Sequence, residues 1–341
     1  MRLATTLLCL VFAALPAAAA ELPIFDAHVH YSHDAVELTP PRQAAEILRK
    51  AGLKRALVSS SGDAGTQQLL AEAPDVVIPS LRPYRTRGEL GSWMRDDSVV
   101  AFLEERLQRA RYAAIGEFHL YGADADLPVP RRMVQLAKQH GLVLHAHSDA
   151  DAVERLFSQD PQARVLWAHS GFERPEAVAA MLRKHRNLWC DLAFRSEHGG
   201  GGKVPAEWKA LFTEFPDRFM VGTDTFTPER WHYLVEHAQW TRAWLADLPA
   251  PLAERLAWRN GEALFAHWKP GALTGAPSCC ALRNSPFGRP GRLMARRPPS
   301  RSRTAPRHCA RQCARPAAPA GRPARRATNG HARPHRTSAR A

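Results

Sequence analysis

The sequence predicts an α/β fold, a closed (β/α)8 TIM barrel over residues 21–269, with a leader before it and a disordered basic tail after it. Three observations carry that expectation. Eight short apolar runs alternate with helical patterns between residues 22 and 268, an order that builds a parallel sheet with crossover helices. Eight such units in about 250 residues suit a sheet closed on itself. No glycine-rich phosphate loop follows the first run, which argues against the open doubly wound alternative.

Strands are expected at residues 24–30, 55–59, 76–80, 113–118, 142–147, 164–169, 188–191 and 219–222. Each is a short apolar run, the pattern of a strand covered on both faces. Helical periodicity lies between them at 41–50, 99–109, 131–140, 150–157, 175–184 and 206–215. Thr39 is expected to cap the first of these helices, and Thr227 a helix starting near Pro228.

The flanks differ from the body. Residues 1–20 read as a secretory leader: Arg2, an apolar stretch from Leu7 to Leu15, then Ala18-Ala19-Ala20 as a small-residue cleavage site. Secretion, to a bacterial periplasm, is the expected localisation. No later stretch is apolar for long enough to span a bilayer. The net charge of +14 is a property of the tail. After Lys269 there are 16 arginines, no lysine and no acid, which leaves 31 basic against 33 acidic residues before that point, a net of −2. Residues 270–341 are rich in Arg, Pro, Ala, Ser and Gly and poor in aromatics, so they cannot bury enough apolar surface to offset the entropy of ordering. Such a composition also fits out-of-frame reading of GC-rich DNA. Past the leader, the body holds only Cys190, so no internal disulfide framework is expected.

The chemistry concentrates at strand ends. Phe25-Asp26-Ala27-His28-Val29-His30 puts two imidazoles two residues apart on a strand, hence on one face and at the barrel's C-terminal rim, where barrel active sites are built. Two neutral imidazoles make half a site for zinc or a similar divalent ion. Later strands end in the same way. Glu117 follows Ile115-Gly116, His145 and His147 end the fifth run, His169 the sixth, and Asp224 follows the eighth. Five strand ends of eight carrying His or acid is hard to attribute to isolated core histidines.

In that order of motifs the body resembles the amidohydrolase superfamily, most nearly the amidohydrolase-related branch that includes aminocarboxymuconate-semialdehyde decarboxylase. The closing Ala257-Trp258-Arg259-Asn260-Gly261-Glu262-Ala263-Leu264-Phe265 is similar to that family's final helix. Ile115-Gly116-Glu117 also resembles the TatD-like metal-dependent nucleases, in which the glutamate is a ligand. The resemblance implies His28, His30, His147, Asp224 and Glu117 as metal ligands. The strand-4 lysine of other branches is absent, which leaves one ion, or two bridged by Glu117. Of the two strand-5 histidines, His147-Ser148-Asp149 is more like the family motif and lies nearer the rim, so His147 is the expected ligand and His145 a substrate neighbour. A divalent ion, zinc before manganese or iron, is the expected cofactor, one per chain.

A metal-dependent hydrolase acting on a C–O or C–N bond of a small substrate follows. Asp224 would serve as general base and His169 would orient or stabilise the substrate oxygen. Arg82, Tyr84, Arg85, Arg87 and Trp93 after the third strand, and Arg195 and the glycines at 199–202 after the seventh, belong to loops that shape the pocket. Arg82 and Arg195 suit an anionic substrate, and a solvated basic surface is the alternative reading. Rival functions are a non-hydrolytic decarboxylase on the same site, a nuclease, or, from another class, an exported protein that binds nucleic acid or anionic lipid through its tail. The tail has no aromatics interleaved with its basic residues, and no nucleic-acid-binding signature is present.

Overall fold

The computed structural model describes residues 21–195 and 200–269. The expected leader, the basic tail and the first of the four glycines at 199–202 lie outside them. Eight parallel strands form one sheet in sequence order: β1 (Ile24–His30), β2 (Leu53–Ser60), β3 (Val77–Leu81), β4 (Ala114–Leu120), β5 (Val143–Ser148), β6 (Arg164–Trp167), β7 (Leu188–Asp191) and β8 (Phe219–Met220). The ring closes through the segment after β8. Val29 pairs with Thr225, Asp224 N–H donates to the His28 carbonyl (2.8 Å), and His30 N–H donates to the Thr225 carbonyl (2.8 Å). The chain is thus a (β/α)8 TIM barrel, as its run of alternating patterns predicts.

Helices follow each strand and cover the outside. Pro128–His140 is representative: Val129, Met133, Val134, Leu136 and Ala137 face the sheet, the spacing of a helix with one apolar stripe. A large apolar layer fills the space between strands and helices. A smaller cluster, to which β1 contributes Phe25 and Ala27, β2 Leu57, β3 Ile78, β4 Ala114, β5 Val143, β6 Leu166 and β8 Met220, is closed from below by Leu264, Phe265 and Trp268. Cys190, the only cysteine among the described residues, is buried. No helix among the described residues is long and apolar enough to cross a membrane.

Some local expectations change. Thr39 caps nothing: it ends the short helix Asp34–Leu38, and its carbonyl accepts the Tyr31 hydroxyl (2.6 Å), while Pro40 precedes the helix Pro41–Lys50. Proline there needs no cap of its own, because its ring fixes φ and its missing N–H is one that a first turn leaves unpaired. Thr227 does cap the helix Pro228–His232, accepting from Arg230 N–H. The fourth strand runs on past Phe118 to Leu120, and the sixth stops at Trp167, short of His169.

All seven non-glycine residues with positive φ among the described residues lie on segments that follow strands: His33, Asp63, His169, Ser170, Phe172, Phe194 and Asp224. A left-handed backbone costs an ordinary residue about 1–2 kcal/mol, and such positions gather at working surfaces. Here they gather at the C-terminal rim.

Candidate metal centre

Four of the expected side chains converge there. His28 and His30 both point their Nε2 atoms into one space, 3.1 Å apart. His28 Nε2 is 3.4 Å from Glu117 Oε1 and 3.5 Å from Asp224 Oδ1. His30 Nε2 is 3.2 Å from Glu117 Oε2 and 3.2 Å from Asp224 Oδ1. Ligands about 2.0–2.1 Å from one tetrahedral ion stand roughly 3.3 Å from one another, so this spacing fits a shared ion.

The tautomers are prepared for that role. His28 Nδ1 donates to Asp191 Oδ2 (3.1 Å), and His169 Nδ1 donates to the Ala193 carbonyl (2.9 Å). His30 Nδ1 meets Ser59 Oγ at 2.8 Å. Fixing the proton on Nδ1 leaves the Nε2 lone pair facing inward, the form that binds a metal. For His169, donation from Nδ1 to Ala193 turns Nε2 toward the cluster. Its Nε2 stands 3.6 Å from Glu117 Oε1 and 4.0 Å from Asp224 Oδ2.

Charge argues the same way. Glu117, Asp191 and Asp224 are all buried around these histidines, and Arg82 Nη2 donates to Glu117 Oε2 (2.9 Å). Without a bound ion, burial of the His28 ring opposes a charge, yet Asp224, Asp191 and Glu117 overcome it and hold its pKa well above the ordinary value. Burial likewise opposes ionisation of Asp224, but His28 and His30 outweigh it and bring its pKa down to about 2.

The two strand-5 histidines separate. His147 Nδ1 reaches Glu117 Oε1 (2.8 Å), and its ring stacks on His119 with centroids 4.1 Å apart. It thus touches the cluster through Glu117, outside the His28–His30 pair. His145 is buried behind His28, with Nε2 on Asp191 Oδ2 (3.0 Å), and burial pushes its pKa down to about 4, so it stays neutral and donates. Glu117 follows Gly116, whose φ is +129°, and a Cβ there would run into the His145 carbonyl oxygen. Only glycine lets β4 approach β5 this closely and deliver Glu117 to the rim.

A cavity of about 560 Å³ opens over the cluster, lined by His30, Arg82, Glu117, His147 and Asp224 among others. A larger cleft of about 760 Å³, beside Glu154, His185, Arg186 and Arg218, lies by the starts of β7 and β8 and has none of these ligands. Of the expected substrate contacts, Arg82 lines the cavity. Arg195 and His145 do not: Arg195 is buried, donating to the carbonyls of His169 (3.3 Å) and Glu173 (2.7 Å) and lying over Trp208. The sequence reading missed Asp191, whose Oδ1 also accepts the N–H groups of His169 (2.9 Å) and Ala193 (3.1 Å). It missed His119 too, which burial drives down to about 3.

A barrel with this rim is a metal-dependent hydrolase scaffold, and comparison with known proteins says which kind. Residues 25–266 match the family model described as Amidohydrolase, and the chain belongs to that family. The match is to the family as a whole and does not single out its decarboxylase branch. No curated protein matches the chain in sequence. Among solved structures it is similar to an uncharacterized TIM-barrel protein from Bordetella bronchiseptica (14% identity over 72% of this chain and 99% of that one, TM-score 0.47). It is also similar to a mutant organophosphorus hydrolase from Deinococcus radiodurans (16%, 73% and 95%, TM-score 0.48). A third is a Pseudomonas putida protein described as a 2-pyrone-4,6-dicarboxylic acid hydrolase (17%, 72% and 98%, TM-score 0.43).

Proposed function

We propose that this member of the amidohydrolase family hydrolyses a C–O or C–N bond in a small substrate, with His28, His30, Asp224 and Glu117 holding one divalent ion, zinc by preference. The observation that carries the reading is the 3.1–3.5 Å spacing of their donor atoms at the floor of an open cavity. An imidazole and carboxylate set without cysteine suits zinc and also admits manganese or iron. A divalent ion in such a site polarises the scissile bond and lowers the pKa of water from about 15.7 toward 7.

The chain's own groups then have distinct tasks. Asp224, on the cavity wall and ionised at neutral pH, takes a proton from the attacking water. The water oxygen bonds to the electrophilic carbon, the C–O or C–N bond breaks, and the proton passes to the leaving oxygen or nitrogen. Glu117 is held in place by Arg82 on one oxygen and His147 on the other. Export to a periplasm is part of the proposal and rests on the composition of residues 1–20.

The test combines metal content with turnover. Protein purified without added metal should carry about one ion per chain and lose it when His28 and His30 are both replaced by alanine. Asp224→Asn should keep its fold by circular dichroism and lose about 10²–10⁴-fold in turnover, the usual size of a general-base contribution. An Asp224→Asn protein that keeps its metal and more than about a tenth of the rate would remove Asp224 from that role.

A further inference from the structure

We infer that the substrate carries an uncharged apolar or aryl group beside the bond that is cleaved, seated on a ring of apolar side chains around the ligand cluster; this rests on the hydrolase reading above. Large exposed apolar residues scattered singly over a surface need no explanation, but gathered ones mark a binding region. Eight are exposed among the described residues, and six of them come from six different segments that follow strands. Leu38 follows β1, Leu90 β3, Tyr121 β4, Phe172 β6, Phe194 β7 and Phe226 β8. All therefore stand on the rim that carries the ligands.

The ring is continuous with the site. Phe172 stacks on His169 with centroids 4.6 Å apart and lies 5.9 Å from His147. Tyr121 lies 6.2 Å from His147, and Phe194 6.2 Å from Phe226. Leu38, Leu90 and Phe226 line the same cavity as His30, Glu117 and Asp224. Phe172 and Phe194 are held at φ +55° while remaining 55% and 46% exposed. A strained backbone that turns a phenyl ring toward water is explained neither by core packing nor by backbone preference.

The charged groups of the mouth point away from an anionic substrate. Arg87 is on Asp34 (2.8 Å), Arg82 on Glu117, and Arg85 on Glu89 (2.8 Å) and Asp96 (2.5 Å). Arg230 donates to the carbonyls of Asp224 (2.8 Å) and Thr223 and lies over the Phe194 ring. Guanidinium forks already engaged in this way are poorly placed to clamp a carboxylate or phosphate. Beside the cluster the cavity offers apolar surface from Leu38, Leu90, Phe226 and Pro228, with Ser32, Ser61 and Thr227 between them.

Binding and turnover test this separately. Calorimetry on the full-length, metal-loaded protein measures dissociation constants for three unreactive ketones: acetone, acetophenone and nonan-2-one. Acetophenone and nonan-2-one should bind at least about tenfold more tightly than acetone, as burial of several carbons implies. Phe172→Ser and Phe226→Ser, both at exposed positions, should each narrow that ratio about threefold or more. Equal affinities across the series, or a ratio that neither substitution moves, overturns the inference. So does loss of binding to neutral lipid vesicles in the same variants with no ketone selectivity, which would make the ring a surface-docking patch. Turnover of methyl acetate against phenyl acetate completes the design. Hydrolysis with no preference for the aryl ester also overturns the inference, whereas ketone selectivity without hydrolysis of either ester overturns only the hydrolase reading.

Discussion

Asp191 joins three strands through one side chain. Its Oδ2 accepts His28 Nδ1–H and His145 Nε2–H, and its Oδ1 accepts two backbone N–H groups, so all of its hydrogen bonds hold it as a fully buried carboxylate. Burial opposes that charge, but His28 and His145 outweigh it and keep the Asp191 pKa well below the ordinary value. The carboxylate keeps the His28 proton on Nδ1. Asp191→Asn replaces an acceptor with a donor opposite that N–H, and metal affinity should fall about 10–100-fold, the usual effect of losing a carboxylate that orients a ligand imidazole. Competition with a chelator measures this, with circular dichroism to verify the fold; affinity within about twofold of the parent would show that His28 orients itself. His28, His30, Glu117 and Asp224 were legible as candidates because each ends or follows an apolar run. Asp191 also ends such a run, but its role depends on partners from β1, β5 and the segment after β6, and no single stretch of sequence displays them. His119 was missed because the fourth run was read as ending at Phe118.

At the scale of elements, all eight strands fall within two residues of their apolar runs, because a strand covered on both faces has little freedom in composition. In β8 only Phe219 and Met220 form regular ladder, while the residues through Thr225 close the ring by irregular hydrogen bonds. Polar Thr223, Asp224 and Thr225 hide that continuation, and their partners lie on β1, nearly 200 residues away. Helix starts were legible as well: Pro41–Lys50 and Pro175–Lys184 keep their expected bounds, and Pro128–His140 begins three residues before its expected start. One helix carries a pH response. His237, in the helix Leu234–Leu245, has its pKa lowered to about 4 by burial and by Arg230. The unfolded chain takes up this proton near pH 6.5 and the folded chain only near pH 4. The native state therefore loses stability as pH falls between those values. His237→Gln should flatten part of that loss, read as the difference between urea midpoints at about pH 7 and pH 5 in the two proteins; an identical pH slope would contradict it.

For the whole molecule, the barrel was legible from alternation alone, and among the described residues its core is complete with Trp268. A chain ending at Lys269 should therefore keep the melting temperature and activity of the full protein, and a clear drop in either would give the remaining residues a structural role. The pairing of the arginines around the mouth has a kinetic side. Opposite charges only a few ångströms apart cancel at any distance an incoming molecule can sense, and the Debye length in physiological salt is about 8 Å. An approaching substrate thus gets little guidance from these arginines. Its capture is set by diffusion and by the chance of landing apolar end first, and its encounter rate should be nearly indifferent to ionic strength, unlike that of enzymes that draw their ligands in along an open gradient of charge.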